Sequence, residues 1–230
     1  MTSGELADAT IVFDLDGTLV DTAPDLVRAL NHTMDLEGLP HMRIEVARRF
    51  VGQGARVLIE RSAALAGVTF RPERLSELTE AYIAAYRADI CQHSRPFEGV
   101  PDALDALSAL GAKLAVCTNK RTDLSVQLLE ALGLAERFSA IVGADAVSDR
   151  KPHPDHFRAA VTRTGGVVRR SVMVGDTTAD VAAARGAGAP VAVVRFGYCD
   201  DDAEKLGADV LIDHYADLTP VCRRLLAARP

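Results

Sequence analysis

Short apolar runs of strand length recur along the chain, and they are apolar at successive positions instead of alternating with polar residues. That pattern is typical of parallel strands whose two faces are both buried. The runs are rich in Val and Ile and lie at residues 9–13, 113–117, 140–142, 171–174 and 190–194. A further short strand pair is predicted near residues 209–213.

Helical segments separate the later runs and carry start and stop signals at their ends. Pro101 and Gly111 flank the first segment, residues 122–123 and Gly133 flank the second, and Pro154 precedes the third. A strand followed by a helix, repeated along the chain, builds a parallel sheet. The predicted fold class is therefore α/β, with a doubly wound parallel sheet.

The alternation stops between about residues 21 and 93, where apolar residues recur at helical spacing and no strand-like run occurs. This pattern predicts a helical domain inserted after the first strand. The predicted boundaries are residues 1–20 and 97–230 for the α/β core and 21–96 for the helical domain. The hinges are predicted at residues 19–22 and 94–99.

The composition is that of an ordinary soluble globular protein, with 48% hydrophobic and 25% charged residues among 230. That length suits one or two domains. The 26 basic and 32 acidic residues give a formal charge of -6, which disfavours non-specific binding to nucleic acid or to anionic lipid. We therefore expect neither nucleic acid nor a membrane as a partner.

The cysteines and the N-terminus predict a cytoplasmic location. The first ten residues lack the basic and apolar regions of a signal peptide, and no apolar run approaches the roughly 20 residues that span a bilayer. Widely spaced cysteines without a Cys-x-x-Cys pair are typical of a reducing compartment. The four cysteines are Cys91, Cys117, Cys199 and Cys222.

Two carboxylates, Asp14 and Asp16, follow directly after the first predicted strand. Open parallel sheets bind ligands at the carboxyl ends of their strands, and residues i and i+2 in strand-like backbone share a face. Like charges placed together repel each other unless a metal ion or a shared proton relieves them. Gly17 permits a tight turn and Thr18 supplies a hydroxyl. By itself, the segment fits an ordinary Asp-Gly turn equally well.

Polar residues also follow later strands: Thr118-Asn119 after residues 113–117, and Asp176 with Asp180 after residues 171–175. Each could simply form a turn or cap a helix, and Lys151 alone would be a solvated lysine. Together they place three strand ends at one edge of the sheet. In a pocket that holds several carboxylates, the positive charge of Lys151 would balance their negative charge.

In this order the motifs resemble those of the haloacid dehalogenase superfamily of phosphatases, and within it most closely the phosphoglycolate phosphatases. They are Asp-Leu-Asp-Gly-Thr-Leu-Val-Asp at 14–21, Thr-Asn at 118–119, Lys-Pro at 151–152 and Gly-Asp-Thr-Thr-Ala-Asp at 175–180. The similarity extends over nearly the whole chain. It implies the superfamily's Rossmann-like core with a helical cap domain and a Mg²⁺-dependent phosphatase.

The resemblance also implies the roles of the catalytic residues. Asp14 would attack the substrate phosphorus to form an aspartyl-phosphate that water hydrolyses. Asp16 would protonate the leaving oxygen and then accept a proton from the attacking water. Lys151 would neutralise charge on the nucleophile and on the transferring group.

Substrate binding is implied for Thr118, Asn119 and the backbone amides near Asp16 and Gly17, which would contact the phosphoryl oxygens. Within the cap segment 51–58, Arg56 would meet a substrate carboxylate. Arg56 could equally be a solvated helix residue. A small phosphate ester is the implied partner, with 2-phosphoglycolate as the predicted substrate, and a monomer or a homodimer is expected.

Magnesium is the expected ion because a hard site built only from oxygen ligands suits it. Asp14 and Asp176 would supply carboxylates and Asp16 its backbone carbonyl. Asp180 lies one helical turn after Asp176, and the resemblance implies that it orients a metal-bound water or Lys151.

Other functions remain possible from the residues. A sugar phosphomutase of the same superfamily would share every core residue. A phosphatase with the same core could also act on another small phosphate ester, because the cap would select the leaving group. A receiver module that is phosphorylated on aspartate belongs to a different class and lacks an equivalent of Asp16. A dehalogenase does not keep a carboxylate at that position. His153 and His156 are predicted to have turn or surface roles, since no third metal ligand has matching spacing.

Overall fold

A six-stranded parallel sheet forms the centre of the structure, a computed structural model that describes residues 4–198 and 202–228. The strand order is β5-β4-β1-β6-β7-β8, with a separate antiparallel pair β2-β3. The strands are β1 Thr10–Phe13, β2 Val20–Asp21, β3 Arg95–Pro96, β4 Lys113–Cys117, β5 Ala140–Val142, β6 Ser171–Gly175, β7 Val191–Val194 and β8 Val210–Ile212. The five predicted strands are confirmed. The predicted pair near 209–213 is instead the single strand β8, which joins the same sheet beside β7.

The helices begin and end close to the signals in the sequence. They are α1 Ala23–Asp35, α2 Ile44–Ala47, α3 Ala55–Leu65, α4 Pro72–Ala88, α5 Val100–Ala109, α6 Thr122–Ala131, α7 Pro154–Arg163, α8 Thr178–Ala187 and α9 Leu218–Ala227. Pro101 lies in the first turn of α5, and Pro154 begins α7. Gly111 and Gly133 follow α5 and α6 with positive φ, a conformation that glycine adopts without strain. Among the described residues, no helix has the length and apolar character needed to cross a membrane.

Helices cover both faces of the sheet, so the predicted doubly wound α/β class is confirmed. Alternate residues of β1 belong to different cores: Ile11 and Phe13 pack with α5, α6 and α9, whereas Val12 packs with α7 and α8. Burial on both faces explains why the strands are apolar at successive positions. β1 lies between β4 and β6, with Thr10 beside Lys113 and Ser171. Three carboxyl ends therefore meet at one point of the sheet edge.

The segment between β2 and β3 is helical, as its periodicity predicts, and contains α1 to α4. β2 and β3 pair through Val20 with Pro96 and Asp21 with Arg95, so the chain leaves and returns at one place. The helices of this segment share the larger hydrophobic core with the sheet. The exact domain boundaries at residues 20 and 97 remain a prediction.

The described cysteines Cys91, Cys117 and Cys222 are free thiols. Cys199 lies outside the described residues.

Candidate active site

The predicted site residues at the strand ends lie together and are buried. Asp14 continues β1, its N–H donating to the Val174 carbonyl at 2.9 Å, and Thr118 continues β4, its N–H donating to Val142 at 3.1 Å. The exposed fractions are 3% for Asp14, 5% for Asp16, 1% for Thr118, 8% for Asn119, 2% for Lys151, 1% for Asp176 and 0% for Asp180. Such burial of charge is unfavourable unless the groups are paired or bind ions.

Lys151 joins two of the carboxylates. Its Nζ lies 2.8 Å from Asp14 Oδ1 and 2.7 Å from Asp180 Oδ1. Burial alone would lower the pKa of Lys151, but the two carboxylates raise it well above its usual value. Lys151 is therefore a permanent ammonium beside Asp14. Burial and the neighbouring acids outweigh Lys151 at Asp14 and raise the pKa of that carboxyl to about 7.

His156 holds the loop that carries Lys151, which differs from the turn or surface role predicted for it. Its ring is fully buried, and its Nδ1 accepts the Lys151 backbone N–H at 3.1 Å while its Nε2 lies 3.1 Å from the Val142 carbonyl. Burial and the Lys151 charge lower the pKa of His156 to about 4, so the ring is neutral and Nε2 donates to Val142. His153 is exposed and caps α7, as a turn residue would.

Asp176 faces Asp14 at the end of β6. Thr18 Oγ1 donates to Asp176 Oδ1 at 2.7 Å, and the Tyr198 N–H donates to Oδ2 at 2.8 Å. Burial and the charges of Asp14 and Asp180 raise the pKa of Asp176 well above its usual range. One carboxylate oxygen from each of these three aspartates lies within 4.8 Å of the others, a cluster that could hold a metal ion.

Asp180 uses both of its oxygens within the site. Oδ2 accepts the Thr177 N–H at 3.0 Å and the Thr177 hydroxyl at 2.6 Å, forming a capping box at the start of α8. Oδ1 accepts from Lys151. Asp180 therefore fixes the lysine to the helix that follows Asp176.

Gly17 fits the site for a steric reason. Its φ is 83°, and an added Cβ would lie 2.5 Å from Asp176 Oδ2 and 2.8 Å from the Tyr198 ring. Its N–H donates to the Val20 carbonyl at 3.0 Å, so this amide is engaged in the turn. The predicted contact of Gly17 with a phosphoryl oxygen remains a prediction.

Residues 11–194 match the family model described as haloacid dehalogenase-like hydrolase. The chain belongs to this family. A phosphoglycolate phosphatase from Caulobacter vibrioides is 47% identical over 98% of this chain and 95% of its own length. An N-acetylmuramic acid 6-phosphate phosphatase from Pseudomonas aeruginosa is 33% identical over 94% of this chain and 95% of its own.

A solved structure shows the same architecture. The crystal structure of a predicted phosphoglycolate phosphatase from Haemophilus somnus has a TM-score of 0.87 and 30% identity, covering 94% of this chain and 98% of that one. Together with the relatives that are named as phosphatases, this solved structure identifies the chain as a phosphatase. Relatives that match nearly the whole chain carry the names of different substrates, so the match to the family does not by itself identify the leaving group.

Asn119 connects the helical segment to the core of the hydrolase. Its Nδ2 donates to the Gly52 carbonyl at 3.0 Å and to the Lys151 carbonyl at 3.1 Å, while its Oδ1 is buried without a hydrogen-bond partner among the described residues. Thr118 Oγ1 accepts the Lys120 N–H at 3.2 Å, which leaves its hydroxyl hydrogen to donate elsewhere.

Asp16 has a cationic neighbour that the sequence did not indicate. Its Oδ1 accepts from Thr22 Oγ1 at 2.7 Å and from Lys120 Nζ at 2.7 Å. Lys120 directly follows Thr118-Asn119, and that adjacency is the one sequence signal that could have identified it. Lysine is too common on surfaces for adjacency alone to carry the assignment.

A cavity of about 360 Å³ lies against Asp16, between the helical segment and the core. Arg56 lies at its edge, where the exposed guanidinium donates to Ser76 Oγ at 3.0 Å. In this structure Arg56 thus bonds the neighbouring helix α4, and its contact with a substrate carboxylate remains a prediction.

Tyr198 links the core to the hinge. Its hydroxyl donates to Asp21 Oδ1 at 2.5 Å and accepts the Ala23 N–H at 2.9 Å, and the Arg48 guanidinium lies 5.5 Å from the ring centroid. Arg48 also lies 3.2 Å from Asp21. Tyr198 therefore contacts Asp176, a candidate metal ligand, through its backbone, and it contacts the hinge through its side chain.

Proposed function

We propose that this phosphatase hydrolyses 2-phosphoglycolate to glycolate and phosphate, with Asp14 as the nucleophile and Mg²⁺ as the cofactor. The contact between Asp14 and Lys151 at the end of the central strand carries the proposal, because it combines a carboxylate with a permanent cation. Support for the substrate comes from the names of relatives such as the Caulobacter enzyme. Residues 21–96 would form the cap over a core of residues 1–20 and 97–230, in a cytoplasmic monomer or homodimer.

In the first step, an Asp14 oxygen bonds to phosphorus while the ester P–O bond breaks. Asp16 gives a proton to the leaving oxygen. In the second step, Asp16 accepts a proton from water as the water oxygen bonds to phosphorus and the bond to Asp14 breaks. Thr22 donates a 2.7 Å hydrogen bond to Asp16, so the Asp16 carboxyl group keeps its orientation through both steps.

Lys151 and Thr118 would stabilise the transferring phosphoryl group. The ammonium already lies 2.8 Å from Asp14, and the Thr118 hydroxyl has a hydrogen to donate. Both amide hydrogens of Asn119 bond backbone carbonyls, so we assign Asn119 to holding the loops around the phosphoryl group.

The residues fit a hard divalent cation. Asp14 and Asp176 have raised pKa values because their charges are buried together with too few cations to balance them. Their carboxylates, with the Asp16 carbonyl, would hold Mg²⁺, while Asp180 is already committed to Lys151 and the start of α8. When bound, the ion would neutralise phosphoryl oxygens and orient the ester for attack.

A panel of phosphate esters assayed with Mg²⁺ tests the proposal. We expect 2-phosphoglycolate to give the highest kcat/KM and inorganic phosphate to be released without a bisphosphate activator, which a phosphomutase would require. A sugar phosphate that ranks far above 2-phosphoglycolate would contradict the substrate while leaving the chemistry in place.

Asp14→Asn tests the nucleophile separately. The amide cannot form the acyl phosphate, so we expect kcat to fall by at least about 10⁴-fold with unchanged circular dichroism. Substantial turnover by a folded Asp14→Asn protein would falsify the assignment. Lys205→Gln, a change at an exposed lysine paired with Asp202, is the control and should keep wild-type kcat.

A further inference from the structure

Lys120 is a buried cation that the proposed reaction does not use. Its side chain is 6% exposed, and its Nζ contacts Asp16 Oδ1 at 2.7 Å. Holding a lysine out of water is costly, and a buried ion pair offsets that cost only where further hydrogen bonds satisfy the remaining ammonium hydrogens. An ammonium has three hydrogens to donate, and the contact with Asp16 uses one.

The surroundings of Lys120 leave room for an anion. Its Nζ lies 4.7 Å from the centroid of the Tyr86 ring, a favourable cation–π position that fixes the side chain. Tyr86 and Lys120 both line the cavity beside Asp16. The Tyr86 hydroxyl is buried and has no hydrogen-bond partner among the described residues. An unpaired buried hydroxyl costs free energy that a ligand oxygen would recover.

The position relative to Asp16 limits which anion fits. Asp16 must lie within hydrogen-bonding distance of the leaving oxygen, and Lys120 lies one hydrogen bond beyond Asp16. In a phosphorylated 2-hydroxy acid, the carboxylate carbon is two bonds, at most about 3 Å, from the ester oxygen. A carboxylate on the first carbon of the leaving group therefore falls next to Lys120.

We propose that Lys120, with the Tyr86 hydroxyl as a second donor, binds the carboxylate of the leaving group and makes the enzyme specific for phosphorylated 2-hydroxy acids. This inference rests on the proposed function and deepens it. It places the recognition of the carboxylate on a core residue beside the acid, whereas Arg56 is exposed and bonds Ser76.

A comparison of 2-phosphoglycolate with ethyl phosphate tests the proposal, since ethyl phosphate has the same ester bond and no carboxylate. We expect Lys120→Gln to lower kcat/KM for 2-phosphoglycolate by about 100-fold, mainly through KM, and for ethyl phosphate by less than about 5-fold. Tyr86→Phe keeps the ring under Lys120 and should lower the same preference by about 5- to 10-fold. Lys205→Gln, the same change at an exposed lysine that does not line the cavity, should leave the preference within about 2-fold.

Several outcomes would overturn the proposal. If Lys120 only positions Asp16, Lys120→Gln will lower kcat for both esters equally. If Arg56→Gln removes the preference and Lys120→Gln does not, Arg56 binds the carboxylate. Lys120→Met keeps the apolar stem on Tyr86 and gives the same test if the Gln variant does not fold.

Wild-type rates separate this inference from the proposed function. A wild-type enzyme that prefers ethyl phosphate contradicts the substrate and the carboxylate site together. A wild-type enzyme that prefers 2-phosphoglycolate, with a Lys120→Gln variant that keeps this preference, contradicts the role of Lys120 alone.

Discussion

At the scale of single residues, His156 makes the stability of the enzyme sensitive to mild acid. The pKa of this ring is about 4 in the folded protein, compared with 6.5 for a free histidine, because the ring is buried beside Lys151. Between these values the unfolded chain binds a proton that the folded protein does not. The contribution of His156 to the free energy of unfolding should therefore fall as pH decreases from about 6.5 to 4, by up to about 3 kcal/mol. Urea unfolding across this range measures the slope.

His156→Gln provides the comparison for that slope. The variant cannot titrate, so as pH decreases from 6.5 to 4.5 its free energy of unfolding should fall less, or rise more, than that of the wild type, although it starts lower because buried hydrogen bonds are lost. Identical slopes in the two proteins would show that His156 is not responsible.

At the scale of elements, Asp25 ties helix α1 to the segment that leads into β3. Its buried Oδ2 accepts the His93 N–H at 2.9 Å, the Ser94 N–H at 2.8 Å and the Ser94 hydroxyl at 2.7 Å. Burial alone would raise the pKa of Asp25, but these donors hold it below its usual range. The carboxylate thus joins the two chain segments that connect the helical insertion to the sheet.

Asp25→Ala leaves three donors without an acceptor and should lower the free energy of unfolding by about 3 kcal/mol. Asp25→Asn keeps a carbonyl oxygen for the same donors and should cost only about 1 kcal/mol. Chemical denaturation of both variants measures the difference. Equal losses would mean that packing, and not these hydrogen bonds, accounts for the stability at this position.

At the scale of the whole molecule, the acidic site reduces stability at neutral pH when no metal is bound. The pKa of Asp14 rises from 3.8 to about 7, so the folded protein binds more protons than the unfolded chain between these values. The sign is opposite to that of His156: stability from protonated Asp14 is present at low pH and is lost as pH rises through about 7.

Magnesium should reverse this loss. At about 100 times its Kd the ion adds about 2.7 kcal/mol, which corresponds to a rise in Tm of several degrees for a chain of this size. Protons compete for the same carboxylates, so the rise should be larger at pH 7.5 than at pH 5.5. Differential scanning calorimetry with EDTA or MgCl₂ measures it. Asp176→Asn should abolish the response, and an unchanged response in that variant would place the ion elsewhere.

The sequence by itself determined the sheet and the set of acids at its edge, because both depend on local signals. Uninterrupted apolar runs require burial on both faces, and a polar residue directly after such a run must lie at the carboxyl end of a strand. Asp14 and Asp176 were identified in this way, whereas the role of Lys151 followed from the resemblance of its motif to the family's. The helical insertion was predicted equally well from its periodicity.

Only the tertiary structure decided which distant residues share a pocket and which donors remain available. Lys120 contacts Asp16 across 104 residues, and its ammonium lies over the ring of Tyr86 on α4. Likewise, His156 is buried by the fold around the Lys151 loop, and the Gly17 amide is used by the turn that brings Asp16 into position. Pairing and burial depend on how elements pack across the chain, and no local pattern encodes that packing.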